Sequence, residues 1–418
     1  MNTVYNRRDF IKTTAAVGVT ATAMTARSYA RIMGANERIR LGQIGCGGRG
    51  RMAHMVGVHK HDKAENVEYV AVSDPWRVAR EQAAAMCKEW YGTDAKQFVS
   101  YRDVLACKDV DAVLIASPDH HHATQLEAAA KVKKHIYVEK PMARSMAELN
   151  RATDAVKEAK IVVQIGTQIR SLPTSTACHE IWKSGILGKA SRVEQCRNGE
   201  KPYWYHYVKD IKKEDIDWDE FLFNAPKRPF DPGVYSGWYG YLDYTDGPVA
   251  NLGCHFIDLY HYITGVQFPT SCVCNGGVFT WKDEHKFTCP DHVEALWVYP
   301  EGFMVAYSSN FGNSGGSRHR YFCEKGQLIL DNWQAPTYSA EGGPKRAEGT
   351  IRGVNEVKPI EGPDHFQDWL QCMRTGKTTR APIEAGYQHS IACLMAVQSY
   401  HTGRRTTYNH AKRAILLA

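Results

Sequence analysis

Five short apolar runs, separated by segments with a different periodicity, dominate the chain between residues 38 and 168. The runs are RIRLGQIG (38–45), VEYVAVSD (67–74), DVDAVLIASP (109–118), KHIYVEKP (134–141) and IVVQIGTQ (161–168). The intervening WRVAREQAAAMCKEWYG, HATQLEAAAKV and SMAELNRATDAVKEAK repeat their apolar residues at helical spacing. Strands that alternate with helices pair in parallel, because each helix must carry the chain back before the next strand begins. The expected fold is α/β, with a doubly wound parallel sheet at the N-terminal end.

The first strand runs directly into Gly45-Cys46-Gly47-Gly48-Arg49-Gly50. A G-x-G-x-x-G cluster is weak alone, but between a strand and a helix it exposes backbone N–H groups to a pyrophosphate. Gly45, Gly47, Gly48 and Gly50 are therefore candidate cofactor contacts, and Arg49 adds a positive charge close to the phosphates. Asp74 ends the second strand, 24 residues after Gly50, where a carboxylate accepts hydrogen bonds from ribose hydroxyls and repels a 2′-phosphate. NAD is thus favoured over NADP, although Asp74 ahead of Pro75 also suits a helix cap.

A chain of 418 residues is long for one domain, and its +7 formal charge falls to +4 without residues 1–30. That balance, with no basic block elsewhere, argues against nucleic acid as a partner. The first thirty residues read as an address: NRRDFIK (6–12), the mildly apolar TTAAVGVTATAM, and small residues ending at Ala30. They resemble a twin-arginine export signal, too short and polar to span a membrane stably. The expectation is a folded, periplasmic protein carrying tightly bound NAD, with no membrane association once the signal is removed. The twelve cysteines form no C-x-x-C pair, which argues for buried thiols and against a metal site.

Two more strand ends carry chemistry. ASPDHHHATQ (116–125) and VEKPMA (138–143) end their strands at the carboxyl edge of the sheet, where ligands of open parallel sheets bind. Ser117, Pro118, Asp119, His122, Glu139 and Lys140 are accordingly placed beside the cofactor. His120, His121 and His122 are consecutive and cannot all face one ion, so no metal is assigned.

From about Gly166 the periodicity changes. A helical stretch at 175–189 is followed by SRVEQCRN, TSCVCNGGVFTW, HVEALWVYP, FMVAYSSNF and QLILDN, which alternate as strands of a mostly antiparallel sheet. The expected division is a signal over 1–30, a nucleotide domain over 31–165 and an α+β domain with an open sheet over 166–418. DGPVANLGCHFIDLYHYITG (246–265) reads as a helix with Asn251 and His255 one turn apart on one face.

Glu-Lys-Pro at 139–141, Ser-Pro-Asp at 117–119 with its histidines, DHFQDWLQCMRTGK (364–377) and APIEAGYQHSIACLMAV (381–397) resemble the glucose–fructose oxidoreductase and inositol dehydrogenase family, Gfo/Idh/MocA. The likeness covers essentially everything after residue 38. It implies a Rossmann nucleotide domain, a second domain whose sheet faces the nicotinamide, and C-terminal helices that pack back on the first. It also implies that Lys140 steadies a substrate oxygen and that His255 takes the hydroxyl proton. Where the family has Asp-x-x-x-His, this chain has Asn251, so the acid that would raise the basicity of His255 is missing, while Asn251 is still expected to orient a substrate hydroxyl. Dimers or tetramers are common in the family, which implies a homo-oligomer.

Gln168 and Arg170, in GTQIRS, either reach cofactor and substrate or tie the two domains together. Tyr203 to Tyr244 holds 13 aromatics in 42 residues, suited to sugar faces or to packing of a long loop. Trp238 and Tyr239, nearest the key helix, are the expected substrate contacts. The sequence thus points to hydride transfer between a carbohydrate ring carbon (for a glycoside, its third) and NAD. A redox-neutral hydrolase with recycled NAD, and a sugar-binding protein without catalysis, are the alternatives.

Overall fold

The computed structural model describes residues 37–418; the leader read in residues 1–30 lies outside them. Six parallel strands form the first sheet: β1 (Ile39–Ile44), β2 (Val67–Ser73), β3 (Lys96–Phe98), β4 (Ala112–Ile115), β5 (His135–Val138) and β6 (Val163–Ile165). Their order, β3-β2-β1-β4-β5-β6, reverses between β1 and β4 and opens a crevice at the carboxyl ends there. Five of the strands are the apolar runs. The sixth, β3, is a three-residue edge with two exposed side chains, so it has no apolar period to announce it.

Alternation along each strand divides the core. Val113 and Ile115 of β4 pack with Leu126, Ala129 and Val156, while Ala112 and Leu114 pack with Ala83 and Cys87 on the opposite face. The helix His365–Thr375 sends Trp369 and Leu370 into that second core. The last helix, Ile383–Thr402, runs close to β6: a Cβ on Gly386 would lie 2.8 Å from the Met142 sulfur and 2.9 Å from Ile165.

The second sheet has ten strands: β7 (Ala190–Asn198), β8 (Ser271–Gly277), β9 (His292–Tyr299), β10 (Phe303–Asn310), β11 (Arg318–Cys323), β12 (Gly326–Ile329), β13 (Thr337–Ser339), β14 (Val354–Glu356), β15 (Thr406–Asn409) and β16 (Ala414–Leu417). All its pairings are antiparallel except β7 with β10. One face is buried, with Val293, Ala295, Trp297 and Tyr299 of β9 in the core; the other leaves Val273, Leu296, Val298 and Met304 exposed.

The helix expected over 246–265 is broken. Gly247–Asn251 and Gly253–Thr264 are separate helices meeting at Leu252, so Asn251 ends one and His255 lies in the first turn of the next. Most of the aromatic segment forms a small core of its own, with Trp204, Phe221, Tyr241 and Tyr244 buried around Leu222 and Val234. The twelve cysteines are free thiols, and no described helix is long and apolar enough to cross a membrane.

Candidate active site

The glycines after β1 divide into two kinds. Gly45 has φ +82°, and a Cβ there would sit 2.6 Å from the Ala116–Ser117 backbone; a Cβ on Gly50 would lie 2.0 Å from the Gly45 carbonyl. Both are demanded by close packing of turn, helix and β4. Around Gly47 and Gly48 a Cβ would meet nothing within 4 Å, and both line a cavity of about 640 Å³. Bare backbone facing open space beside a helix start fits the phosphates of a dinucleotide.

Asp74 lines the same cavity. Its oxygens accept from the Cys46 N–H at 2.7 Å and the Trp76 N–H at 2.8 Å, so it straps the glycine turn to the residue that precedes the helix Arg77–Tyr91. Burial pushes its carboxyl up, against those N–H bonds. Lone pairs remain for ribose hydroxyls, whereas the helix-cap reading of Asp74 fails, since no side chain caps the helix that follows.

At the end of β5, Glu139 is held from three sides. One oxygen accepts from Arg49 Nε, His54 Nε2 and Gln168 Nε2, each at 2.9 Å. Burial opposes the charge, yet Arg49 and the His54 bond hold the carboxyl well below its usual range. Gly166 is required here, since a Cβ would stand 2.8 Å from the Glu139 carboxyl carbon. Two expectations change. Arg49 lines the cavity with its charge paired to Glu139 and a further N–H given to Gln168, not reserved for phosphate. Gln168 divides its amide among Glu139, the Tyr137 hydroxyl and Arg49, so it braces the strand end and does not line the cavity.

Lys140, next along, crosses to the second domain and donates to the Asn251 main-chain carbonyl at 2.8 Å. Asn251, Leu252 and His255 line the cavity with it. The break at Leu252 lets one residue offer its main-chain carbonyl to Lys140 while its side chain turns elsewhere. Burial, reinforced by the Lys140 charge, lowers the His255 imidazole well below its ordinary value. His255 Nδ1 is buried without a hydrogen-bond partner, so no carboxylate supports the ring.

Asp119 also departs from expectation. It lines the cavity, but its carboxylate is turned to the second domain, accepting from Thr245 Oγ1 at 2.6 Å and Asn251 Nδ2 at 2.9 Å. His122 has its ring nitrogens at 2.8 and 2.7 Å from the Pro141 and Ser117 carbonyls, pinning two strand-end loops together. Ser117 and Pro118 line the cavity; Ser117 donates to Gln125 at 2.6 Å. Arg170 does not reach the cavity. Its guanidinium is buried against Asp258 at 2.7 and 2.8 Å, which makes it an interior tie and not a substrate contact.

Trp238 and Tyr239 both line the cavity, stacked with ring centres 3.7 Å apart. Sequence reasoning passed over Tyr203, whose hydroxyl donates to Asn251 Oδ1 at 3.0 Å, and Tyr235, whose hydroxyl reaches Asp74 at 3.4 Å. Both sit in the aromatic segment, and density of rings there was the available signal. The same segment is strapped to the nucleotide domain. Asp217 N–H bonds the Pro75 carbonyl at 3.0 Å, Arg77 pairs with Asp215, and Ser100 donates to Glu220 at 2.8 Å. His120 and His121 both donate to the Phe221 carbonyl, at 3.0 and 2.9 Å.

Residues 39–167 match an oxidoreductase family with an NAD-binding Rossmann fold, and residues 221–329 match a GFO/IDH/MocA C-terminal domain. The rhizopine catabolism protein MocA of Rhizobium meliloti is 30% identical over 300 residues, covering 68% of this chain and 79% of that one. Inositol 2-dehydrogenase of Salmonella typhimurium is 33% identical over 154 residues, 37% of this chain and 42% of the enzyme's length. Glycosyl hydrolase family 109 protein 2 of a Shewanella strain is 32% identical over 300 residues, 64% of this chain and 59% of its own. The match to YrbE of Bacillus subtilis likewise spans about half of that protein, 55%. Among solved structures, levoglucosan dehydrogenase in complex with NADH and levoglucosan superposes with TM-score 0.64 at 17% identity, covering 91% of this chain and 98% of that one.

Proposed function

This chain belongs to the Gfo/Idh/MocA family of NAD-binding oxidoreductases, and on that premise we propose that it oxidises a ring hydroxyl of a sugar, cyclitol or glycoside. One observation carries the reading: the open glycines 47 and 48, Lys140 and His255 line a single cavity, although they come from two domains. When bound, NAD supplies the hydride acceptor. Gly47 and Gly48 would hold its phosphates and Asp74 its ribose.

The residues divide the remaining work. Lys140 gives one N–H to Asn251 and keeps two for a substrate oxygen. As the carbon loses hydride and the hydroxyl loses its proton, negative charge grows on that oxygen, and a positioned ammonium stabilises it. His255, kept neutral by burial, is ready to take the proton. Trp238 and Tyr239 offer flat faces for a ring's C–H groups. For a glycoside, the third ring carbon is the proposed site of oxidation.

A second reading has one specific support, the similarity to a glycosyl hydrolase family 109 protein over 300 residues. In it the ring is oxidised, the neighbouring C–H becomes acidic, the aglycone is eliminated, water adds, and the hydride returns. Purified protein incubated with a chromogenic glycoside and excess NAD separates the two. Reduced cofactor in stoichiometric amount supports the dehydrogenase; aglycone release without it supports the hydrolase. Neither signal across a panel of carbohydrates refutes both and favours a binding protein.

Residues 1–30 support export by the twin-arginine route, with NAD carried outward already bound. The exposed Val273, Leu296, Val298 and Met304 on the second sheet support a homo-oligomer.

A further inference from the structure

Asp119 is 2% exposed and has no cation in direct contact; its partners are Thr245 Oγ1 at 2.6 Å and Asn251 Nδ2 at 2.9 and 3.2 Å. A carboxylate only accepts, so it dictates how the Asn251 amide is turned. With Nδ2 drawn to Asp119, Oδ1 must face the other way, and there it accepts from the Tyr203 hydroxyl at 3.0 Å. The main-chain carbonyl of the same residue holds Lys140 at 2.8 Å. One asparagine thus joins the nucleotide domain, the cavity tyrosine and the cavity lysine. An amide at 119 would satisfy either orientation of Asn251 and leave the arrangement undetermined.

We infer that Asp119 supplies the carboxylate of this site from the nucleotide domain and acts as a positioning residue, aiming Asn251 so that Tyr203 presents its lone pairs, as an acceptor, to a substrate hydroxyl. The acid missing from position 251 is therefore supplied across the domain boundary, by a residue that bonds Asn251 itself. Burying two carboxylates together would force one to hold a proton, whereas one carboxylate and one amide need none.

The inference rests on the oxidoreductase reading and is tested by a charge-exchange cycle: Asp119→Asn, Asn251→Asp and the double variant. Asp119→Asn is expected to lower kcat at least about tenfold while the NADH dissociation constant stays within about threefold. Asn251→Asp is expected to lose activity as pH rises from about 6 to about 9, because one of the paired acids must stay protonated. The double variant restores one carboxylate and one amide, and is expected to recover the parental pH profile and kcat to within about fivefold. A double variant no more active than the poorer single, or Asp119→Asn with kcat within about twofold of the parent, overturns the inference. Should the parent oxidise no carbohydrate, the oxidoreductase reading fails, and the cycle is read from melting temperatures at the same two pH values. The Asn251→Asp protein must then melt lower at the higher pH and the double variant must regain the parental difference; otherwise the inference fails too.

Discussion

The Lys140 ammonium donates to the main-chain carbonyl of Asn251 at 2.8 Å, joining the end of β5 to the break at Leu252 in the second domain. The bond orients the cation at the same place where the helix interruption frees a carbonyl to receive it. Across the cavity His255 has no acid behind it, and its neutrality comes from burial and from Lys140 itself.

Exchanging Lys140 for Met should therefore lower kcat by about 10²–10⁴ with NAD binding retained, and His255→Gln should fall in the same range. The pH dependence carries the sign of the His255 shift. A base whose imidazole is pulled well below its ordinary value stays unprotonated through neutral pH and into mildly acidic conditions. Initial rates taken in brief assays should stay level well below the usual imidazole range of about 6.5. A half-maximal rate near that ordinary value would show that another group, or a differently placed histidine, takes the proton.

The two kinds of glycine predict opposite outcomes. Gly45→Ala puts a methyl 2.6 Å from backbone at φ +82°, so the turn must move, at a cost of about 1–3 kcal/mol with loss of cofactor binding. Gly48→Ala meets no protein atom within 4 Å and should leave the melting temperature unchanged. Its methyl would instead occupy space that a phosphate needs, so NAD affinity alone should drop. Calorimetric melting beside a cofactor titration separates the two, and equal loss of stability in both variants would contradict the assignment.

The aromatic segment over the crevice predicts slow cofactor release. Asp215 and Glu220 tether it to Arg77 and to Ser100 of the nucleotide domain. Removing both carboxylates, Asp215→Ala with Glu220→Ala, should let the segment lift and raise the NADH dissociation rate at least about tenfold, since such changes act mainly on release. Displacement followed by NADH fluorescence gives the rate, and NAD retained through gel filtration gives the consequence. Unchanged release would mean that the segment packs over the cavity without governing it.

The nucleotide domain was legible because buried strands and amphipathic helices differ in period, and the exposed β3 was missed for want of one. Lys140 was legible because a strand end is a local property; the four-residue spacing named Asn251 and His255 but not the two separate helices that bring them to the cavity. Gln168 and Arg170 were misaimed for a non-local reason. A strand-end position gives height above the sheet but not direction, and the partner of Arg170, Asp258, lies 88 residues away. Asp119 was placed in the right loop with the wrong target, because its bond to Asn251 spans 132 residues and two domains. The break at Leu252 was hidden for the opposite reason: the whole stretch 246–265 has a helical apolar period, and only tertiary contacts to Lys140 and Asp119 distinguish its halves.

Buried histidines make stability depend steeply on acid. His121 and His365 are lowered to about 4, and His261 and His319 to about 3, in each case chiefly by burial. For a histidine whose folded value is depressed, the unfolded chain takes up the proton first, so stability is lost as pH falls below about 6.5. By about pH 5 each group contributes a loss of about 1–2 kcal/mol. Buried carboxyls oppose this: Asp74 and Asp119 are pushed up by burial, and Asp246, raised to about 6 despite Arg144, returns about 1 kcal/mol over the same interval, whereas His54, His120 and His255, lowered chiefly by burial, add to the loss. The lowered buried histidines outnumber the raised carboxyls, so the melting temperature should fall between about pH 7.5 and about pH 5. His319→Gln keeps an acceptor for Gln195, which lies 3.0 Å away, while removing one titration, and should make the fall measurably shallower. A melting temperature that holds or rises over that interval would mean these imidazoles are not buried neutral, and the packing of the second sheet against its helices would have to be drawn differently.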